Sequence, residues 1–152
     1  METVTAAAVL EPDSRALNWV NDLAGMEGIL QDLTLPASLP PNVLRAFETI
    51  RDLLKFSFFR FEFAALAAFH SIIEVESALD SRYKGTWKTL KDMLDAAQAD
   101  GTISADQADL LHCGRRLRND FAHGNMQHPA LPLPLTVRMV RTSVDLVTAL
   151  TK

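Results

Sequence analysis

Apolar residues recur at spacings of three and four along most of the chain, a period that predicts helices rather than strands. The first such segment runs from Ser14, a candidate N-cap, to about Leu33, with Leu17, Val20, Ala24, Met26 and Leu30 on its apolar side. The proline-bearing stretch Pro36–Pro41 cannot continue that helix and reads as a linker. Asn42 can cap the next segment, whose periodicity persists to about Tyr83. One helix of that length would reach roughly 60 Å at 1.5 Å per residue, too long for a domain of this size. A break is therefore expected near Lys55–Arg60, although neither Pro nor Gly marks it. Beyond it, Phe58, Phe61, Ala65, Ala68, Ile72, Val75 and Leu79 form one stripe. Phe59, Phe63, Leu66, Phe69 and Ile73 make the other sides apolar too. A helix apolar nearly all round belongs at the centre of a bundle or in an oligomer interface.

Gly85 ends that helix, and Thr86 is the expected cap of the next, with Trp87, Leu90, Leu94 and Ala97 as its inner stripe and Gly101 at its C′ position. Ser104 and Gln107 form a capping box that opens a helix from Ala105. It should end at His123, because Gly124 follows and Pro129, Pro132 and Pro134 come soon after. A last helix spans about Leu135 to Leu150. With no internal repeat and no convincing strand, the expected architecture is an all-α antiparallel bundle of about five helices. Residues 1–13 read as a flexible N-terminal extension and 14–152 as a single domain.

Composition narrows the function classes. The 152 residues suffice for one domain with a real core, and 48% hydrophobic with 22% charged residues is ordinary for a globular chain. The formal net charge is −4, so a long grip on duplex nucleic acid is excluded and any nucleic-acid role must use a local basic patch. Cys113, the single cysteine, can form neither an internal disulfide nor a multi-cysteine metal site, and its inward position favours a small core residue over a nucleophile. The opening METVTAAAVLEPDSR lacks the pattern of a secretory signal, and the apolar stretch Phe56–Leu79 is broken by Arg60, Glu62, His70, Glu74 and Glu76. No membrane association and a cytoplasmic location are expected.

The stretch richest in chemistry is His112–Gly124, HCGRRLRNDFAHG. On a helical wheel, Leu110, Cys113, Gly114, Leu117 and Phe121 take the core arc. His112, Arg115, Arg116, Asn119 and His123 take the outer arc, and Arg118 sits at the boundary. Arg118 and His123 stand roughly 140° apart, yet a long arginine and a histidine at the helix end could converge over the small Ala122. Asn119 and His123, four residues apart, can meet directly. The negative end of the helix dipole favours a protonated His123, and the neighbouring arginines oppose it, a balance that suits proton transfer near neutrality. Arg118 offers a planar cationic fork that matches a phosphate. An Arg–His pair with no acidic cluster points to a reaction that needs no metal. RNA cleavage fits, because the 2′-OH is an internal nucleophile and the protein need only move protons and stabilise charge.

The run RNDFAH, Arg118–His123, matches the Arg-x4–6-His motif of the HEPN (higher eukaryotes and prokaryotes nucleotide-binding) superfamily, with a polar residue, Asn119, after the arginine. The order before it is similar as well: an apolar helix ending in ESALDSRY, Glu76–Tyr83, then TLKDMLDAAQADG, then the motif helix. The chain thus resembles bacterial HEPN ribonucleases of toxin type over about residues 42–150. That resemblance implies an antiparallel bundle that homodimerises through the motif helix, forming a composite site. It implies metal-independent cleavage of RNA to a 2′,3′-cyclic phosphate, with no cofactor, in a toxin–antitoxin or phage-defence setting where an antitoxin protein could be a partner. Arg118 would position and neutralise phosphate, Asn119 would orient, His123 would be the acid and base, and Glu76 would support the site from the preceding helix. Arg115 and Arg116 are candidates for RNA backbone binding. The alternative is a catalytically inactive HEPN-like module that binds nucleotides, RNA or protein. Bland readings stand beside these. Cations near a helix C-terminus stabilise it, Arg115 and Arg116 can be a solvated face, and His112 is expected to be merely exposed. His112, His123 and His128 lack zinc-ligand spacing.

Overall fold

The apolar period is realised as helix throughout a computed structural model that describes residues 11–125 and 131–152. Among those residues are six α-helices and no strand: α1 (Leu23–Leu30), α2 (Pro41–Phe56), α3 (Glu62–Tyr83), α4 (Leu90–Ala99), α5 (Ala105–Ala122) and α6 (Leu133–Leu150), with a single 3-10 turn at Ala16–Asn18. The protein is an all-α helical bundle. Among the described residues, no helix is long and apolar enough to cross a membrane.

The helix apolar on nearly all sides is the central one. α3 buries Ala64, Ala65, Ala67, Ala68, Phe69, Ser71, Ile72, Val75 and Leu79. It packs most extensively on α6 and α2, and it also touches α4 and α5. Small residues bring α3 and α6 together: the single hydroxyl proton of buried Ser143 is shared between Ser71 Oγ at 3.1 Å and the Met139 carbonyl of its own helix at 2.9 Å, while Ser71 donates to the Ala68 carbonyl at 2.7 Å. Each buried hydroxyl therefore keeps a partner, which removes the cost of taking it out of water.

The expected break between α2 and α3 falls at Ser57–Phe61, and its cause lies elsewhere in the chain. Asp13 donates its backbone N–H to the Phe58 carbonyl at 2.8 Å, while its carboxylate accepts the Phe61 N–H at 3.0 Å. Arg15 bridges Asp13 at 2.7 Å and Glu62 at 2.8 Å. The turn's freed backbone groups are thus satisfied by a segment more than forty residues away in sequence, so neither Pro nor Gly is required. Asp13, expected in a loose extension, is instead an anchor; residues 1–10 lie outside the described residues.

The N-terminal region departs most from expectation. The predicted helix from Ser14 to Leu33 is a 3-10 turn followed by the short α1, and Ser14 caps neither. Asp22 caps α1 by accepting the Gly25 N–H at 2.8 Å. Asp13 and Asp22 each offer the backbone a side-chain acceptor, and two local turns win over one continuous helix. Val20, Met26 and Leu30 are buried as expected, whereas Leu17 is exposed, as is Ala24. Asn42 is not the cap of α2, since Pro40 occupies that position and Pro41 the first turn. Thr89, not Thr86, caps α4 by accepting the Asp92 N–H at 3.1 Å. Trp87 consequently falls in the preceding loop and stays 42% exposed instead of lining the inner stripe.

Candidate functional site

The motif helix is α5, and both its ends are fixed by local sequence. At its start the capping box closes as expected: Gln107 donates its N–H to Ser104 Oγ at 3.2 Å, and the Ser104 N–H donates to Gln107 Oε1 at 2.9 Å. At its end His123 is the C-cap and Gly124 takes φ +74°. The Asn125 N–H reaches back to the Asp120 carbonyl at 2.8 Å and the Gly124 N–H to Phe121 at 3.1 Å, the two bonds of a Schellman ending. His123 therefore has a defined backbone position at the helix terminus, and its side chain is exposed.

Between these ends, α5 buries Ala108, Leu110, Leu111 and Gly114. Leu117 and Phe121 pack on a smaller cluster of Ala65, Phe69 and Leu131, with the Phe69 and Phe121 ring centroids 5.3 Å apart. Gly114 lets α5 seat closely: a Cβ there would lie 2.6 Å from Met139 Sδ and 2.8 Å from Ile72 Cδ1. That close approach brings the outer edge of α5 within side-chain reach of the outer edge of α3.

Arg118 uses it. Its Nη1 donates to Glu76 Oε2 on α3 at 2.7 Å, and its Nη2 donates to Asn119 Oδ1 at 3.3 Å. The structure thus joins Glu76, Arg118 and Asn119 in one chain of hydrogen bonds. Arg118 is 20% exposed and Glu76 41% exposed, so the ion pair is partly screened but accessible to an incoming anion. Among the described residues, two of the five guanidinium N–H groups have acceptors.

The three residues border an open groove of about 450 Å³, whose other walls are Arg115 from α5 and Lys88, Thr89, Leu90 and Lys91 at the start of α4. Lys88 and Lys91 escaped the reading of the sequence. Their signal was the KTLK run around a helix cap, legible only once α4 is known to lie against α5.

His123 is not brought into this constellation. It does not line the groove, and among the described residues no side-chain hydrogen bond links it to Arg118 or Asn119. Its only contact with Asn119 of this kind is backbone, N–H to carbonyl at 2.9 Å. The expected meeting of the two heads over Ala122 is not seen as a hydrogen bond within this chain, where the Arg118 guanidinium is engaged by Glu76 and Asn119 instead.

Other candidates resolve differently. Arg116 is exposed and outside the groove. His112, expected to be merely exposed, has a side chain only 14% exposed, with Nε2 2.9 Å from Asp95 Oδ1. Asp95 also accepts from Lys91 Nζ at 2.8 Å, and that bond, aided by the one to His112, holds its carboxyl below the usual carboxylate range despite the opposing effect of burial. Glu74 sits 3.6 Å from His70 on the same helix. Cys113 is partly buried and unpaired. His128 lies outside the described residues. Among the described residues, no three His, Cys, Asp or Glu side chains are placed to hold a metal ion. In comparison with known proteins, no family model, curated protein or solved structure matches this chain.

Proposed function

We propose that this chain is a HEPN-type, metal-independent endoribonuclease that acts as a homodimer. The single observation carrying the proposal is the hydrogen-bond chain from Glu76 on α3 to Arg118 and Asn119 on α5 at the mouth of a cationic groove, with His123 ending that same α5. A guanidinium held by a carboxylate on one side and open on the other is suited to bind a phosphodiester and the charge that grows on its oxygens. The exposed imidazole one and a half turns further on supplies proton transfer. In the reaction, the 2′-oxygen bonds to phosphorus as His123 takes its proton. The bond from phosphorus to the 5′-oxygen then breaks, and an imidazolium returns a proton to that oxygen. The products are a 2′,3′-cyclic phosphate and a free 5′-OH.

Because His123 stands outside the groove of its own chain, the working site in this proposal is composite. Arg118 and Asn119 of one protomer face the partner subunit's His123 across the paired motif helices. An antitoxin protein that covers this face is the partner such an activity would need in a cell.

The deciding experiment incubates purified protein with RNA in EDTA. Cleavage with 2′,3′-cyclic phosphate ends is expected, lost in His123→Ala and absent with DNA of the same sequence. An intact wild-type dimer that cuts no RNA refutes the proposal. One observation favours a second reading, a catalytically silent RNA- or nucleotide-binding module: Arg118 is engaged by Glu76 and not by His123. In that case wild-type protein binds RNA without cutting it, and His123→Ala leaves binding unchanged.

A further inference from the structure

Arg115 is the least satisfied cation near the groove. Its Nε is buried without a hydrogen-bond partner, and among the described residues its guanidinium makes no ion pair. The rest of this half-buried side chain lines the groove, where an oxyanion presenting two oxygens to the guanidinium would make charge-assisted hydrogen bonds. The wall it faces already carries Lys88 and Lys91. Lys91 is compensated by Asp95 and Arg118 by Glu76, whereas Lys88 has no ion pair among the described residues. Arg115 and Lys88 are therefore the two uncompensated positive charges lining the groove.

We propose that this groove is a phosphate-binding subsite that takes one backbone phosphodiester of single-stranded RNA, with Arg115 as its principal ligand and Lys88 as the flanking cation. The RNA part of the assignment rests on the function proposed above; the phosphate part rests on Arg115 and Lys88 alone. Arg115 and Arg118 lie one turn apart on α5, about 4.5 Å along its axis. A phosphate held at Arg115 thus places the next stretch of the strand at Arg118 and Asn119. The subsite gives the strand a direction, running from the start of α4 toward the end of α5. A groove with two cations that lack an ion pair among the described residues, on a chain of net charge −4, holds a single phosphodiester and not a long duplex.

The test uses the full chain and a 2′-O-methyl oligonucleotide, which presents RNA phosphodiesters but cannot be cut, with inorganic phosphate as a separate arm. Binding is followed by fluorescence anisotropy and by the side-chain Nε–H resonances of the arginines. The Arg115 resonance is expected to move on adding the oligonucleotide. Arg115→Ala should weaken binding about tenfold. Lys88→Ala, at an exposed position where folding is not at stake, should weaken it roughly threefold and lower the salt slope by about 0.7. Arg45→Ala, a surface cation on α2 away from the groove, should change neither quantity. An unmoved Arg115 resonance, or an equal loss in Arg45→Ala and Lys88→Ala, overturns the subsite. Phosphate binding without oligonucleotide binding overturns its assignment to an RNA backbone. A protein that binds the oligonucleotide through Arg115 yet cuts no RNA loses the nuclease function and keeps the subsite.

Discussion

Glu76 is the residue that sets the direction of the Arg118 guanidinium, and its substitution separates positioning from folding. The pair is partly exposed, so Glu76→Gln should cost less than about 1 kcal/mol of stability in a thermal melt. If the chain is the nuclease proposed above, the same variant should cut RNA about tenfold more slowly in single-turnover assays, with RNA affinity equal or better, because a negative charge leaves the groove. Equal cleavage rates would remove Glu76 from the site. Asp13 makes a different residue-scale case. Its hydrogen bond to Arg15 holds its carboxyl well below the ordinary value of 3.8, against the opposing effect of burial. For Glu62, burial is the largest single effect and pushes upward, yet the Arg15 hydrogen bond, a backbone hydrogen bond and the Arg15 charge together outweigh it, and the net shift is down from 4.5. Both carboxyls bind protons less readily folded than unfolded. Their contribution to stability is therefore complete above about pH 5 and is lost as pH falls through their folded values. Asp13→Ala should cost about 2 kcal/mol at neutral pH and progressively less in acid, a trend that denaturant midpoints at several pH values will show.

At the scale of elements, the seat of α5 on α3 and α6 governs whether Glu76 and Arg118 can meet. Gly114→Ala gains roughly 1 kcal/mol of helix propensity but drives a Cβ into Ile72 and Met139, a clash worth about 1–3 kcal/mol. A net loss of stability is expected. Under the proposed nuclease function, displacement of α5 should also reduce RNA cleavage more than a stability-matched Ser104→Ala variant, which loses only a cap of about 1 kcal/mol. Comparing the two variants' melts and rates checks this. The two ends of α5 were legible in the sequence because the capping box and the His123–Gly124 ending are made by residues within a few positions of one another. The ends of α1 and the start of α4 were not, because competing caps, Ser14 against Asp22 and Thr86 against Thr89, are equivalent until packing chooses.

For the whole molecule, the separation of His123 from the groove makes assembly testable. If Arg118 of one protomer works with the partner subunit's His123, a mixture of inactive Arg118→Ala and inactive His123→Ala proteins should regain cleavage on subunit exchange. Failure to regain it, with exchange verified by sedimentation of differently labelled chains, would rule out the composite arrangement. Ile73, 50% exposed on α3 one turn before Glu76, is an apolar side chain that such pairing would cover.

Local pattern alone determined that this chain is helical, where α5 begins and ends, and that Arg118, Asn119 and His123 share its last turns, since a 3.6-residue period and cap chemistry act within one segment. Only the tertiary structure decided that Glu76 reaches Arg118, that Lys88 and Lys91 face Arg115, and that Asp13 splits α2 from α3. Those are contacts between residues as much as forty-eight positions apart, and no spacing rule carries across a distance that depends on how whole helices pack.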